Sequence, residues 1–258
     1  MAMDDFSLDF FSLKGRTAIV TGGNSGLGLA FSTALAKAGA NLFIPSVIAE
    51  HEEADTLIKN LGVEVRFMAV DITAEGAAGK IIDGCRAAFG GVDILVNNAG
   101  ICRLNPLLAF GRPDWDPMIA VNLTAAFELS HTAAHVMIPQ QHGKIINICS
   151  LFSFLGGRQS PAYAASKHAL AGLTKAYCDE LGAHNIQVNG IAPGYYATQI
   201  TAVTRSDPAL NRRVLEHIPA GRWGKREDLM GAVVFLASRA SDYVNGHILV
   251  VDGGYRVR

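Results

Sequence analysis

From Thr17 onward, short apolar runs alternate with longer amphipathic stretches. The runs are TAIVT at 17–21, NLFI at 41–44, VRFMAV at 65–70, DILVN at 93–97, KIINIC at 144–149, QVNGIA at 187–192 and HILVVD at 247–252. Near-continuous apolar strands of this length suit a parallel sheet covered on both faces. The stretches around 26–38, 50–61, 74–89, 114–139, 162–181 and 226–237 are long enough for helices. Regular alternation predicts an α/β, doubly wound, seven-stranded parallel sheet with helices on both faces, joined by right-handed crossovers. It also predicts one domain over 1–258, with 1–15 as an N-terminal extension. The stretch 195–225 lacks a strand signal and contains Pro208 and Pro219. It reads as a substrate lid or as a fixed pair of surface helices.

Composition narrows the class. Charged residues make up 17% of the 258 and hydrophobic residues 50%, against about 25% charged in an ordinary soluble domain. That is too apolar for a disordered chain, yet no apolar run approaches the roughly 20 residues of a membrane span. The excess must enter a core, subunit contacts or both. Lys and Arg number 22 against 23 Asp and Glu, for a net charge of −1, and no basic block appears. Nucleic acid is therefore not expected as a partner. Cys85, Cys102, Cys149 and Cys178 show no CxxC spacing and suit a reducing compartment. The opening MAMDDFSLDFFSLKGR is acidic where a signal peptide is basic, so a cytoplasmic protein is expected.

The first predicted strand runs into Thr21-Gly22-Gly23-Asn24-Ser25-Gly26-Leu27-Gly28, where a helix begins. Glycines permit a tight turn and close approach of backbone to a pyrophosphate, and a helix N-terminus favours its charge. The spacing of Gly22, Gly26 and Gly28 is G-x3-G-x-G, and its place between strand and helix predicts a Rossmann-type dinucleotide site. The second strand ends Ile44-Pro45-Ser46-Val47, and the first acid after it is Glu50. Neither the carboxylate typical of NAD sites nor the Arg typical of NADP sites stands there. Ser46 is placed to meet a ribose oxygen. The missing positive charge, at Asn24 and Ser25 as well, favours NAD(H) and leaves NADP(H) open.

Tyr163 and Lys167 lie one turn apart on one face of a predicted helix. Tyrosine titrates near 10, and a neighbouring ammonium favours the phenolate, so the pair can act as an acid/base. Ser150 falls at the end of the fifth strand, where ligands of open parallel sheets bind. Its hydroxyl can donate to a substrate oxygen.

With TGGNSGLG at 21–28, Asp71, NNAG at 97–100, Asn122, Ser150, YAASK at 163–167 and Pro193-Gly194, the chain resembles the short-chain dehydrogenase/reductase family over nearly its whole length. The resemblance implies Tyr163 as general acid/base, Ser150 orienting the substrate carbonyl or hydroxyl, and Lys167 tuning Tyr163 and bonding the nicotinamide ribose. It implies that Asn122 holds a water linking Lys167 to solvent. Asp71 and Ile72 would meet the adenine, Asn98 and Gly100 the cofactor ribose region, and Tyr196 and Thr198 the carboxamide. Asn24, Ser25, Leu27, Ala99, Pro193 and Gly194 complete the implied cofactor set. Asn97 would stabilise the central sheet. Hydride passes between substrate carbon and nicotinamide while Tyr163 moves the proton.

IPAGRWG at 218–224, DLMGAVVFLAS at 228–238, SDYVNG at 241–246 and SLFSFLGG at 150–157 resemble the sugar-acid branch, which includes 2-deoxy-D-gluconate 3-dehydrogenase and gluconate 5-dehydrogenase. A sugar acid needs a cation for its carboxylate. Arg103, Arg158 and Arg222 are candidates, each also readable as a surface cation, with Tyr195, Gln159 and His168 as polar neighbours. Two other functions stay open: a 3-oxoacyl-carrier reductase of the same family, and a non-catalytic NAD-binding sensor. His131 and His135 lack the Glu of H-E-x-x-H, so no metal is expected. Small residues such as Ala125, Ala126, Ala169, Ala171 and Gly172 in the two long helices, together with the family's usual pairing, imply a homotetramer.

Overall fold

The computed structural model describes residues 7–48, 54, 56, 58, 61–199 and 201–258. Seven parallel strands form one sheet in the order β3-β2-β1-β4-β5-β6-β7. They are β1 (Thr17–Val20), β2 (Asn41–Ser46), β3 (Val65–Ala69), β4 (Ile94–Asn97), β5 (Gly143–Ile148), β6 (Ile186–Pro193) and β7 (Ile248–Val251). All seven expected strands are present, with ends shifted by at most two residues.

Every residue of β1, β4 and β6 is buried, whereas β3 and β7 are partly exposed. The apolar runs therefore predict double-sided burial correctly for the central strands. They overstate it at the two edges, which have one neighbour each. Alternation within strands sends side chains to opposite layers. Ala18, Val20, Leu42, Ile44, Ile94 and Val96 pack with α1 (Gly26–Lys37). Ile19, Phe43, Leu95 and Ile145 pack on the other face with α2 (Ala77–Phe89) and the long helix before β5.

That long helix departs from the expected span of 114–139. It begins as α3 (Arg112–Ile119), widens into a π turn at Ala120–Thr124, and continues as α4 (Ala125–Gln140). Single π turns inside α-helices are frequent at functional sites, and this one carries Asn122. α5 (Pro161–Leu181) follows the Ser150 loop. After β6 come α6 (Ala202–Ser206) and α7 (Pro208–His217), and then α8 (Met230–Ala237). Asp207 caps α7 by accepting from the N–H groups of Ala209 and Leu210, and Pro208 occupies the first turn, where no N–H is needed. Ala54, Thr56 and Ile58 are helical. Leu61 is described and is not helical, while 50–53, 55, 57, 59 and 60 of the helix expected at 50–61, with Glu50, lie outside the described residues, as do residues 1–6, Ala49 and Ile200.

Strand order reverses between β1 and β4, which splits the helices between the two faces and opens a crevice beyond the strands' carboxyl ends. Of the small residues singled out on the long helices, Ala125, Ala126 and Ala171 are buried within the chain, while Ala169 and Gly172 lie exposed. No helix among the described residues is long and apolar enough to cross a membrane.

Candidate active site

The crevice is a cleft of about 500 Å³. Of the expected residues, its lining holds Gly22, Ser25, Gly26, Leu27, Gly28, Ser46, Asp71, Ile72, Asn98, Ala99, Gly100, Ser150, Tyr163, Lys167, Pro193, Gly194, Tyr196 and Thr198. Asn24, Asn122, Arg103, Arg158 and Tyr195 are not part of that lining.

The phosphate-loop region is built by close packing. Gly22 has φ 61°, which only glycine adopts freely. A Cβ on Gly28 would strike the Gly22 carbonyl oxygen and come within 2.5 Å of Asn98 Nδ2. Ser25, the residue before α1, makes no side-chain cap, so the first N–H groups of the helix face the cleft uncapped by it. Thr21 Oγ1 accepts from the N–H groups of Asn98 (3.0 Å) and Ala99 (2.9 Å). Asn98 Nδ2 donates to Thr21 O (2.8 Å). The Asn98 side chain is thus spent on bracing the loop, and its neighbours line the cleft with backbone. Asn24 is buried and donates to the carbonyl of Ile48, tying the loop to the chain after β2 rather than facing a ligand.

At the end of the cleft expected to meet adenosine, Asp71 accepts from the N–H (2.9 Å) and hydroxyl (2.7 Å) of Thr73. Those bonds hold its carboxyl below the usual range. Ser46 Oγ accepts from Ile48 N–H. From Ile44 to Ile48 the chain carries no charge of either sign.

The chemical end collects Ser150, Tyr163 and Lys167. Ser150 closes β5 and accepts from Phe152 N–H at 3.2 Å, which fixes its hydroxyl at the strand end. Tyr163 and Ser150 are hydrogen-bonded through their side chains. Lys167 is 4% exposed, and its Nζ donates to Ile148 O at 2.6 Å. It stands 5.7 Å from the centre of the Tyr163 ring. Burial pushes the Tyr163 phenol up to about 12, while the Ser150 bond works in the opposite direction. Burial lowers the Lys167 ammonium to about 8. The expected lowering of Tyr163 by Lys167 is not the dominant effect. Desolvation of the phenolate outweighs it, and the ammonium is itself committed to the Ile148 carbonyl.

Asn122 lies beneath this group. Its Oδ1 accepts from Ile101 N–H (2.8 Å), and its Nδ2 donates to Ile101 O (2.9 Å) and Ser166 Oγ (3.3 Å). It locks the chain after β4 against α5. Deeper still, Asn97 Nδ2 donates to Ser130 Oγ and Asn147 Oδ1, and Asn147 Nδ2 to Thr174 Oγ1, joining β4, β5, α4 and α5.

The loop after β6 completes one wall. Tyr196 is buried, its hydroxyl donating to Val251 O at 3.0 Å. Thr201 lines the cleft and donates to Tyr196 O at 2.6 Å, a role the sequence pattern did not single out. Val70, Ile101, Cys149 and Gln199 also line it. Each adjoins a motif position or a strand end, and that adjacency was the available signal.

The expected substrate cations part company. Arg103 is exposed and donates to Pro113 O at 2.7 Å. Arg222 holds Asp228 through two bonds, at 2.6 and 3.1 Å. Arg158 lies exposed on a turn of the Ser150 loop. Tyr195 packs on Trp223 (5.6 Å) and Tyr255 (5.0 Å). His131 and His135 stack edge to face at 5.0 Å, and among the described residues no His, Cys, Asp and Glu cluster has metal-binding geometry.

Residues 22–256 match the family model described as enoyl-(acyl carrier protein) reductase. An uncharacterized oxidoreductase of Escherichia coli K12, YgcW, is 72% identical over 257 residues, covering 100% of this chain and 98% of that protein. The 2-dehydro-3-deoxy-D-gluconate 5-dehydrogenase of Bacillus subtilis 168 is 47% identical, covering 97% of this chain and 98% of its own. A solved gluconate 5-dehydrogenase of Burkholderia cenocepacia, in complex with NADP and tartrate, superposes with a TM-score of 0.92 at 41% identity, over 98% of this chain and 100% of that one. NADP in that relative gives no support to the preference for NAD expected from the sequence. The uncharged end of β2 discriminates by charge against neither nucleotide.

Proposed function

The chain belongs to the short-chain dehydrogenase/reductase family and is a nicotinamide-dependent oxidoreductase, and from that premise we propose that it interconverts a secondary alcohol and a ketone on a sugar acid of the gluconate or deoxygluconate type. The observation that carries the reading is the grouping of Ser150, Tyr163 and Lys167 at one end of a cleft whose other end is a glycine-built helix N-terminus. The relatives named as gluconate and deoxygluconate dehydrogenases supply the substrate class.

The cradle fits a dinucleotide, since Gly22, Gly26 and Gly28 line it without side chains and the start of α1 opens into it uncapped by Ser25. Gly22, Ser25, Gly26, Leu27 and Gly28 would hold the pyrophosphate, Ser46, Asp71 and Ile72 the adenosine, and Ala99, Gly100, Lys167, Pro193, Gly194, Tyr196 and Thr198 the nicotinamide half. Asn24 and Asn98 support them from behind. When bound, the cofactor accepts or supplies the hydride.

Within the chain, Ser150 Oγ donates to the substrate oxygen, and Tyr163 Oη takes the hydroxyl proton in oxidation and returns it in reduction. With its phenol near 12, Tyr163 is almost wholly protonated at neutral pH, so positive charge beside it must offset the burial that disfavours the phenolate at the moment of transfer. Lys167 contributes that charge, with Asn122 holding the floor beneath it. The proposal extends to a single domain over 1–258, to α6 and α7 within 195–225 acting as a substrate lid, and to a cytoplasmic homotetramer. Exposed Phe127, stacked on His131 and Tyr177 across α4 and α5, offers an apolar face for pairing.

The test is a titration with NAD and with NADP, followed by aldonates, ketoaldonates and uronates, reading reduced nicotinamide by absorbance. Turnover on a sugar acid supports the reading. Reduction of an acyl thioester with silence on every sugar acid refutes it, and cofactor binding without any turnover leaves a sensor. Tyr163→Phe should remove most turnover while leaving cofactor affinity nearly intact. Retained turnover would reject Tyr163 as the acid/base.

A further inference from the structure

The chain after β7 makes a sharply specified turn. Gly253 and Gly254 have φ 65° and 88°, and a Cβ on Gly254 would come within 2.9 Å of Pro219. Asp252 clamps the turn, Oδ1 accepting from Gly254 N–H and Oδ2 from Arg256 N–H, both at 2.8 Å. The turn seats the Tyr255 ring 5.0 Å from Tyr195 and 4.3 Å from His217. It seats the Arg256 guanidinium 4.2 Å from the centre of the Phe154 ring.

Phe154 is four residues past Ser150, and Phe152, between them, meets Tyr163 edge to face at 5.9 Å. Tyr195 adjoins Tyr196 of the opposite wall. The C-terminal turn therefore spans the Ser150 loop and the loop after β6. Its cation has no hydrogen-bond or ion-pair partner among the described residues, so its five donors are unspent. Arg103 donates to a carbonyl and Arg222 to Asp228. Arg256, like Arg103 and Arg158, stands outside the cleft's lining; Arg158 is equally unspent, but no described contact fixes its head.

We propose that Arg256 is the specificity-determining residue that holds the substrate carboxylate, on the sugar-acid reading above. A planar guanidinium pre-set on an aromatic face offers a carboxylate two parallel N–H donors at little further ordering cost.

The experiment compares wild type, Arg256→Gln, Arg256→Lys and Arg158→Gln in the full chain. Each is assayed on an acid and on the same skeleton with hydroxymethyl in place of carboxylate: gluconate with glucitol, and 5-ketogluconate with sorbose. Arg256→Gln should raise KM for the acid about tenfold or more, with kcat within about twofold and KM for the uncharged partner unchanged. Arg256→Lys should fall between. An unchanged acid KM in Arg256→Gln, or equal rises for acid and uncharged partner, overturns the assignment. An acid-specific rise in Arg158→Gln alone moves the anchor there and overturns it as well. Wild type silent on both acids and on the wider panel refutes the sugar-acid reading itself, separately from the variants.

Discussion

Lys167 is a buried charge, and its cost can be followed with pH. Its ammonium titrates near 8 in the folded chain, against 10.5 for the free side chain. Below pH 8 both folded and unfolded chains carry the charge, and the folded one bears the desolvation cost of about 3 kcal/mol. Between about 8 and 10.5 the unfolded chain holds the extra proton, so stability contributed by this group rises with pH and the cost vanishes above that window. Lys167→Met keeps the volume and removes the charge, but loses the bond to Ile148 O, worth about 1 kcal/mol. The variant should thus be more stable than wild type by about 2 kcal/mol at pH 7 and less stable by about 1 kcal/mol above pH 10.5 or so. Urea unfolding of both proteins at matched concentration, from pH 7 upward, reads the difference. Taking that difference cancels the groups that do not feel Lys167; Cys102 and Cys149, whose thiolates its charge favours, are replaced by Ser in both proteins. A variant less stable than wild type at pH 7, or a difference flat across pH, would refute the claim that burial dominates Lys167.

Three further outcomes are expected from the packing. Gly28→Ala places a methyl against Gly22 O and Asn98 Nδ2; overpacking of about 1–3 kcal/mol should weaken cofactor binding about tenfold or more, measured by nucleotide titration. Asn147→Ala removes one of the two Asn97 bonds and the bond to Thr174 Oγ1 from the buried network between β4, β5 and α5, leaving Asn97 with Ser130 and Thr174 with Leu170 O, and should cost about 1–3 kcal/mol in unfolding free energy. Arg222→Ala breaks an exposed pair with Asp228 and should cost under about 1 kcal/mol, with KM for the sugar acid unchanged; a large KM rise would mean that this guanidinium serves substrate instead.

The seven strands, a ligand site beyond their carboxyl ends, and the grouping of Gly22, Ser150, Tyr163 and Lys167 were legible along the chain. Strand burial follows from runs of apolar residues, and a helical spacing of four sets two side chains on one face whatever surrounds them. Local patterns of this kind depend on near neighbours only. Whether a polar side chain faces a ligand or another part of the chain does not. Asn24 reads as a cofactor residue until the chain after β2 is seen to accept its hydrogen bond. Arg222 reads as a substrate cation until Asp228 occupies it. The C-terminal turn carries no such local signal, because the meaning of Arg256 depends on Phe154, 102 positions away by their numbering. The protonation of Tyr163 and Lys167 likewise belongs to burial, a property of the packed layers. Sequence determined which chemistry the chain carries and where along it. Tertiary structure decided which of those groups remain uncommitted, because a hydrogen bond or ion pair between distant segments exists only once they are packed together.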